Sequence, residues 1–457
     1  MSISAGGVMS FLWLVYIFLS KKDSEALLLL TSLVTSLFIG IGYVFRLYNV
    51  EVIYGDFFMS VTVVYYLLNP TKWRIDRRIL LPALILIVLV AANFVYIINS
   101  VSQIVVPVFS NYDSVFMNQY YAFTTLELSL QNLVSLSKLV VFIMFLIFSG
   151  AKILEFHKDG TLERVISKYG AISLYFLGFL DWLIRVVFRE PILTKLLGSI
   201  FGLRAHSQST SFFLRAGLIG FQGLYAEPSH YASWCFLICS YVILSTKSST
   251  RGKLFAVAGS VTMILSSSAR GFVLSIALLF VILLLILSEN RKKLRLIVVI
   301  LILSLPMIVI IGMFIQSEYA QYAVLRTKGF LGLGNIVTSS EGARSFSIRN
   351  ANDVFLSMPL MGVGIGSIAA AGFLSTFLAS FGIIGAIAYF KILFFFRIRF
   401  TVLSMVLTFV LLGYLYGSMG LAFISSPSIL LIPYMFESVG SQKRNEFSGH
   451  KISPLTN

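Results

Sequence analysis

Charge is what this chain has least of. Asp, Glu, Lys and Arg make up 12% of its 457 residues, where soluble domains average about a quarter, and the shortfall excludes an ordinary soluble globule. Acidic residues are the scarcer kind, 19 against 35 Lys and Arg. Cysteine is nearly missing: Cys235 and Cys239 stand four apart in one apolar segment, which excludes a disulfide framework and reads as helix packing. The four histidines form no His-x-x-x-His pair and no Cys-x-x-Cys occurs, so neither a metal nor another cofactor is expected. No polar stretch is long enough for an independent soluble domain. The N-terminus lacks a basic n-region and a clear cleavage site, so residues 8–20 read as a retained span, not a signal peptide.

What the chain does have is hydrophobic residue, 58% of it, in runs near the roughly 20 residues a helix needs to cross a bilayer. The pattern predicts an all-α, polytopic helical integral membrane protein, with residues 1–457 as a single transmembrane domain of about 12–14 helices. Apolar runs at 4–20, 26–45, 50–69 and 79–99 open the chain, a fifth ends near Gly150, and a sixth covers 170–188. Another runs from Tyr231 to Ser245, and a pair turns tightly at Ser266 to Gly271. Further runs cover 296–314 and 370–390 before two final spans. The net charge of +16 raises the question of nucleic acid, but the lysines cluster in short loops, as the positive-inside rule expects. Lys72 to Arg78, Lys152 to Lys168, Lys247 to Lys253 and Arg291 to Lys293 thus mark the cytoplasmic side. The segment 100–130 falls outside, with Tyr112, Tyr120 and Tyr121 as an interfacial aromatic belt, and so do two larger loops, 189–228 and 315–365. In the sixth span, Asp181 and Arg185 stand at i,i+4 spacing and are expected to neutralise each other.

Basic residues on the outer side break the positive-inside trend: Arg189, Lys195, Arg204 and Arg215 in one loop, Arg270 in the tight turn, and Arg326, Lys328, Arg344 and Arg349 in the other loop. Arg215, Arg270, Arg344 and Arg349 come from three places on the outer side, next to membrane ends. A guanidinium presents a rigid fork of donors suited to phosphate oxygens and never loses its charge. Converging at the membrane surface, these four would hold a diphosphate whose lipid tail stays in the bilayer. The plainer reading pairs them with Glu227, Glu341 or Asp353, or with outer-leaflet anions. Beside Arg215, Glu227-Pro228-Ser229 looks like a helix start, since proline is tolerated where the missing amide proton would be unpaired anyway. Glu227 then stands at the mouth of that helix, where the dipole favours a carboxylate, with His230 and Tyr231 within side-chain reach. Glu227 or His230 is the candidate general base; His206, in the basic loop, is a remoter one. The glycines at 362, 364 and 366 lack the dinucleotide-binding spacing and suit a tight backbone approach near a ligand or a helix start.

Glu227-Pro228-Ser229, Ser267-Ser268-Ala269-Arg270-Gly271, and Arg349 followed by Pro359-x-x-Gly-x-Gly-x-Gly occur in that order with two large outer loops. Together they resemble the Wzy-type O-antigen polymerases, over about residues 200–390; the related O-antigen ligases share part of the pattern. The resemblance implies an enzyme of the bacterial inner membrane with its active site facing the periplasm. It would polymerise oligosaccharide repeat units, with undecaprenyl-diphosphate-linked oligosaccharide as both donor and acceptor and a chain-length regulator in the membrane as a further partner. Arg215, Arg270, Arg344 and Arg349 would stabilise the leaving diphosphate, and Glu227 or His230 would take the acceptor's proton. The alternatives are a ligase that transfers glycan to lipid A–core, and a lipid-linked oligosaccharide flippase or other transporter.

Overall fold

The computed structural model describes residues 2–20, 23–38, 42–47, 50–99, 105–109, 121–202, 214–215, 218–223, 225, 228–245, 249–266, 268–289, 339–368, 370, 372–395, 407–408, 411, 414–415 and 425–448. It is mostly helical. In chain order the helices are α1 (Ala5–Leu19), α2 (Ser24–Phe38), α3 (Tyr54–Leu68), α4 (Arg77–Asn99), α5 (Leu130–Lys158), α6 (Thr161–Gly170), α7 (Gly178–Phe188) and α8 (Ile192–Phe201). Then follow α9 (Pro228–Ser245), α10 (Thr250–Leu265), α11 (Ala269–Glu289), α12 (Ser339–Ser357), α13 (Phe373–Leu393) and α14 (Leu431–Ser448). Among the described residues, four rods are long and apolar enough to cross a membrane: Arg77–Asn99, Leu130–Lys158, Thr161–Phe188 and Phe373–Leu393. Shorter apolar helices pack beside these, α2 and α9 on α6 and α3 on α5. The expected run at 296–314 lies outside the described residues.

Local chemistry sets the helix starts. The Ser4 hydroxyl accepts from the Gly7 amide, and Ser249 does the same for Gly252, each satisfying an orphan donor of a first turn. At the start of α5 the Asn132 side chain reaches back to Ser129, its Oδ1 accepting from both the Ser129 amide and hydroxyl. Two apolar runs are shorter as helices than expected. The stretches 26–45 and 50–69 carry strands where they approach each other: Ser2–Ile3, Tyr43–Leu47 and Val50–Ile53 form a three-stranded antiparallel sheet. Val, Ile and Tyr at alternate positions favour the pleat over a helix, and the sheet places Arg46 opposite Glu51, which form an ion pair. A second hairpin, Val105–Phe109 with Tyr121–Thr125, occupies part of the segment read as external; Tyr112 and Tyr120 lie outside the described residues. The all-α expectation omitted both. The charged segment after Gly150 is likewise no loop. Helix α5 continues to Lys158, the chain turns at Gly160 (φ 76°), and α6 runs through a π-helical stretch, Ala171–Leu177, into α7. Part of 189–228 and of 315–365 is helical as well, as α8 and α12.

The basic stretch at 72–78 is laced with ion pairs. Lys72 reaches Glu25, Arg74 reaches Glu155, and Arg78 pairs with Asp76. The hydrogen bonds from Arg78 hold the Asp76 carboxyl below the usual carboxylate range.

Helix α9 is central. From Tyr231 to Leu244 its side chains are buried on nearly every face, because α10, α11, α14 and α6 surround it; a helix apolar all round belongs inside. At its far end His157 of α5 bonds the Tyr241 hydroxyl at 3.0 Å and Glu437 of α14 at 3.2 Å, and stacks on Tyr434. A second, separate core gathers Ile97, Val106, Leu126, Ala351, Val354, Val363, Ile368, Ala370 and Ala379.

The Asp181–Arg185 pair forms as its spacing predicts, at 2.7 Å and with both side chains 1% exposed. Thr194 of α8 closes the ring, accepting from Arg185 and donating to Asp181 at 2.6 Å. Removing one member leaves a buried charge unpaired. Asp181→Ala is therefore expected to lower stability by about 3–5 kcal/mol, while the apolar double replacement Asp181→Leu/Arg185→Met stays within a few kcal/mol of the parent. Thermal unfolding in detergent distinguishes the two.

Candidate functional site

The site is built where the chain enters α9. Residues Leu214–Arg215 and Leu218–Ile219 form a short antiparallel hairpin, with Arg215 paired to Leu218. Directly after it, the Phe221 amide donates to the Leu265 carbonyl at the end of α10 (2.9 Å). Gly220 lies between the α10–α11 turn and the start of α9. A Cβ there would come within 2.8 Å of the Ser266 carbonyl oxygen and 3.4 Å of the Pro228 ring, so only glycine permits this approach. Tyr231, in the first turns of α9, packs against the Phe221 and Tyr225 rings and donates its hydroxyl proton to Thr262 of α10 (2.6 Å). The Tyr225 hydroxyl donates to the Leu37 carbonyl at the end of α2 (2.9 Å). Hairpin, helix mouth and turn are thereby locked into one junction.

The α10–α11 turn carries its own logic. Ser268 caps α11, its hydroxyl accepting from the Gly271 amide (2.8 Å), and Ser266 bonds Ser268 and the Met263 carbonyl. This leaves Arg270 in the first turn of α11, half-buried, with Nη1 3.5 Å from the Ser233 hydroxyl of α9. A cation at a helix N-terminus opposes the dipole by about 0.3–1 kcal/mol. The N-terminus of α9 faces the same junction. Two positive helix ends and a guanidinium together make a place that favours an anion.

Of the expected site residues, the structure brings together the Arg215 hairpin, the start of α9 and Arg270. His230 is exposed at the mouth of α9. Tyr231 is buried and donates to Thr262. Glu227, Ser267 and His206 lie outside the described residues, and of Arg344 only the helical backbone is described. Arg349 is exposed on α12, and so is Asp353 one turn on. Helix α12 packs on α13 and on the Val105–Phe109 strand, with Ala351 and Val354 in the second core. Arg349 thus stands on a different core from Arg270.

The glycine-rich stretch makes its close backbone approach to a helix. Helix α13 is broken at Gly382 (φ 60°, ψ −169°), and residues 359–364 fill the break. The Val363 and Gly364 amides donate to the Ala379 and Ser380 carbonyls, both at 2.9 Å, while Ile383 and Ile384 donate to Pro359 and Leu360 at 2.8 and 3.1 Å. Asn93 of α4 donates to the Met361 carbonyl, and Asn132 of α5 to those of Ile365 and to Ser367. Nothing in sequence spacing marked Asn93 or Asn132 for this task. The two cysteines pack inside α9, Cys235 reaching toward the Gly259 carbonyl. No group of three or more metal-ligating side chains occurs among the described residues.

Gly362 (φ 69°) and Gly382 each lie where a Cβ would fall 2.6 and 2.5 Å from the other segment's backbone. Gly160 (φ 76°) has the same conformational demand and nothing within 4 Å. Alanine at 362 or 382 is expected to lower stability by about 1–3 kcal/mol or more, against about 1 kcal/mol at 160, measured by thermal unfolding of the three variants side by side. No protein-family model matches this chain, and no curated protein matches it.

Proposed function

We propose that this chain is a membrane-embedded glycosyltransferase that polymerises undecaprenyl-diphosphate-linked oligosaccharide units into a surface polysaccharide, working at the periplasmic face of a bacterial inner membrane. One observation carries the reading: Arg270, half-buried at the start of α11, meets the start of α9 and lies beside the hairpin that bears Arg215. Such a junction suits a leaving diphosphate. In the reaction an acceptor hydroxyl oxygen attacks the anomeric carbon of the growing glycan. The bond from that carbon to the diphosphate oxygen breaks, the diphosphate leaves with the bonding pair, and the hydroxyl proton passes to a base. Arg215 and Arg270 stabilise the leaving charge, and Arg349 and Arg344, on α12 and a different core, are the further candidates for that task. Glu227, next to the α9 N-terminus, is the favoured base and His230 the other. The four long apolar rods agree with a lipid-linked substrate.

The broken α13 is a feature that transporters use to bind substrate in mid-membrane. Here the backbone groups flanking the break are taken by residues 359–364, which removes that support for a flippase. Deleting the gene separates the enzyme readings on a gel of surface glycans: loss of a polymerase leaves core plus one repeat unit, and loss of a ligase leaves bare core. Arg270→Ala and Arg349→Ala are expected to abolish long chains at normal protein level, since one such donor is commonly worth about 2.7–4 kcal/mol. Lysine at either position should restore little, because a point charge does not replace the bidentate fork. Full-length polymer from both alanine variants overturns the proposal.

A further inference from the structure

Gln222 lies inside the junction, and the reaction outlined above makes no use of it. Its neighbours pin it on both sides: the Phe221 amide holds Leu265, and the Tyr225 hydroxyl holds Leu37. Its own carbonyl accepts from the Tyr225 amide at 3.2 Å. The side chain is closed in, 1% exposed, and among the described residues neither Oε1 nor Nε2 has a hydrogen-bond partner. A carboxamide buried without partners is among the more costly groups a protein can keep, and a native chain that keeps one owes an explanation. The setting makes the choice of residue more pointed. The Phe221 ring packs on Tyr231, and Gly178 of α7 lies against Phe221 and Gly223. Leucine or methionine would satisfy such surroundings at similar volume and without an orphaned dipole. The chain places there a group with two donors and an acceptor side by side.

We propose that Gln222 reads the sugar of the lipid-linked glycan. Two neighbouring hydroxyls of a pyranose match its carboxamide: one donates to Oε1 and the other accepts from Nε2. The unpaired amide of the empty protein becomes paired when the glycan is bound, so affinity gains what stability lacks. To meet the ring the Gln222 side chain must swing out about Gly223, which already takes φ 55°, a conformation open to glycine at no steric cost, while the Phe221–Leu265 bond stays made. Gln222 is a recognition residue, then, and not a group that moves a proton. This inference rests on the glycosyltransferase reading and sharpens it, because it separates contacts to the sugar from contacts to the diphosphate.

The test uses the full chain purified in detergent and two probes, undecaprenyl diphosphate and the lipid-linked oligosaccharide extracted from cells in which the gene is deleted. The parent protein is expected to unfold at a higher temperature with the glycan-bearing lipid than with the bare diphosphate lipid. Gln222→Leu is expected to unfold at the same or a higher temperature without ligand, to keep the increment from the bare lipid, and to lose the extra one from the glycan. Its apparent KM for the lipid-linked glycan should rise roughly ten- to a hundredfold, as expected for two lost neutral hydrogen bonds. Gln222→Met serves the same purpose if the leucine variant does not fold. A Gln222→Leu or Gln222→Met protein that keeps the full glycan increment overturns the inference and leaves the enzyme reading standing, the amide then being a site for buried water. A parent protein that gains nothing beyond the bare lipid also overturns it. A parent stabilised by neither lipid overturns both.

Discussion

One backbone hydrogen bond, from the Phe221 amide to the Leu265 carbonyl, holds the rest of the site in place. It joins the segment before α9 to the turn before α11, which are separated along the chain by the whole of α9 and α10. Gly220 lets the two come close enough to form it. With that bond made, the N-termini of α9 and α11 face one place, and Arg270 comes within reach of Ser233. Tyr231 then acts as the hub, fixed by Thr262 on one side and by two aromatic rings on the other. The junction owes its rigidity to buried neighbours and not to the charges it presents. That suits a site that must hold a fixed electrostatic shape before its ligand arrives.

A similar economy governs α13. In a low-dielectric medium an unpaired backbone group costs several kcal/mol, so a break in a long apolar helix has to be filled. Residues 359–364 fill it with main chain alone, two amides toward the first half of the helix and two carbonyls toward the second. Asn93 then satisfies the Met361 carbonyl of the filling segment, and Asn132 that of Ile365 just beyond it. The glycines at 362 and 382 are required by that mutual contact. The third of the sequence motifs is therefore explained by structure as far as its glycines go, and any functional content it has must rest on Arg349 and Arg344 in α12.

Much of the scaffold could be read from sequence, for reasons that are local. The starts of α1, α9 and α10 follow from Ser4, Pro228 and Ser249, and the i,i+4 ion pair of α7 from spacing alone. The strands at 43–53 could not, because an apolar run long enough to span a membrane hides an alternation suited to a sheet. The continuation of α5 to Lys158 was masked by charges that looked like a loop and are in fact the exposed face of a helical hairpin. At the site, the α9 mouth and the Ser-Ser-Ala-Arg-Gly turn were legible as separate motifs. Their meeting was not, since it depends on a contact between residues 221 and 265. His157, Asn93 and Asn132 escaped notice for the same reason: each acquires its role only from a partner 84 to 280 positions away.

The four arginines that first suggested a shared anion do not carry equal weight once placed. Arg349 is exposed on the side of a helix, where a solvated guanidinium is stable with no ligand at all. Its position is compatible with a clamp and does not require one. Arg270 is different. It is half-buried, it sits against the unfavourable end of its own helix dipole, and a second helix end points toward it. Partial burial and two positive helix ends raise the local potential here, so this junction suits an anion better than the exposed face that carries Arg349. A carboxylate such as Glu227 supplies one negative charge. A diphosphate supplies more, in a shape that a guanidinium fork and two rows of helix amides can share.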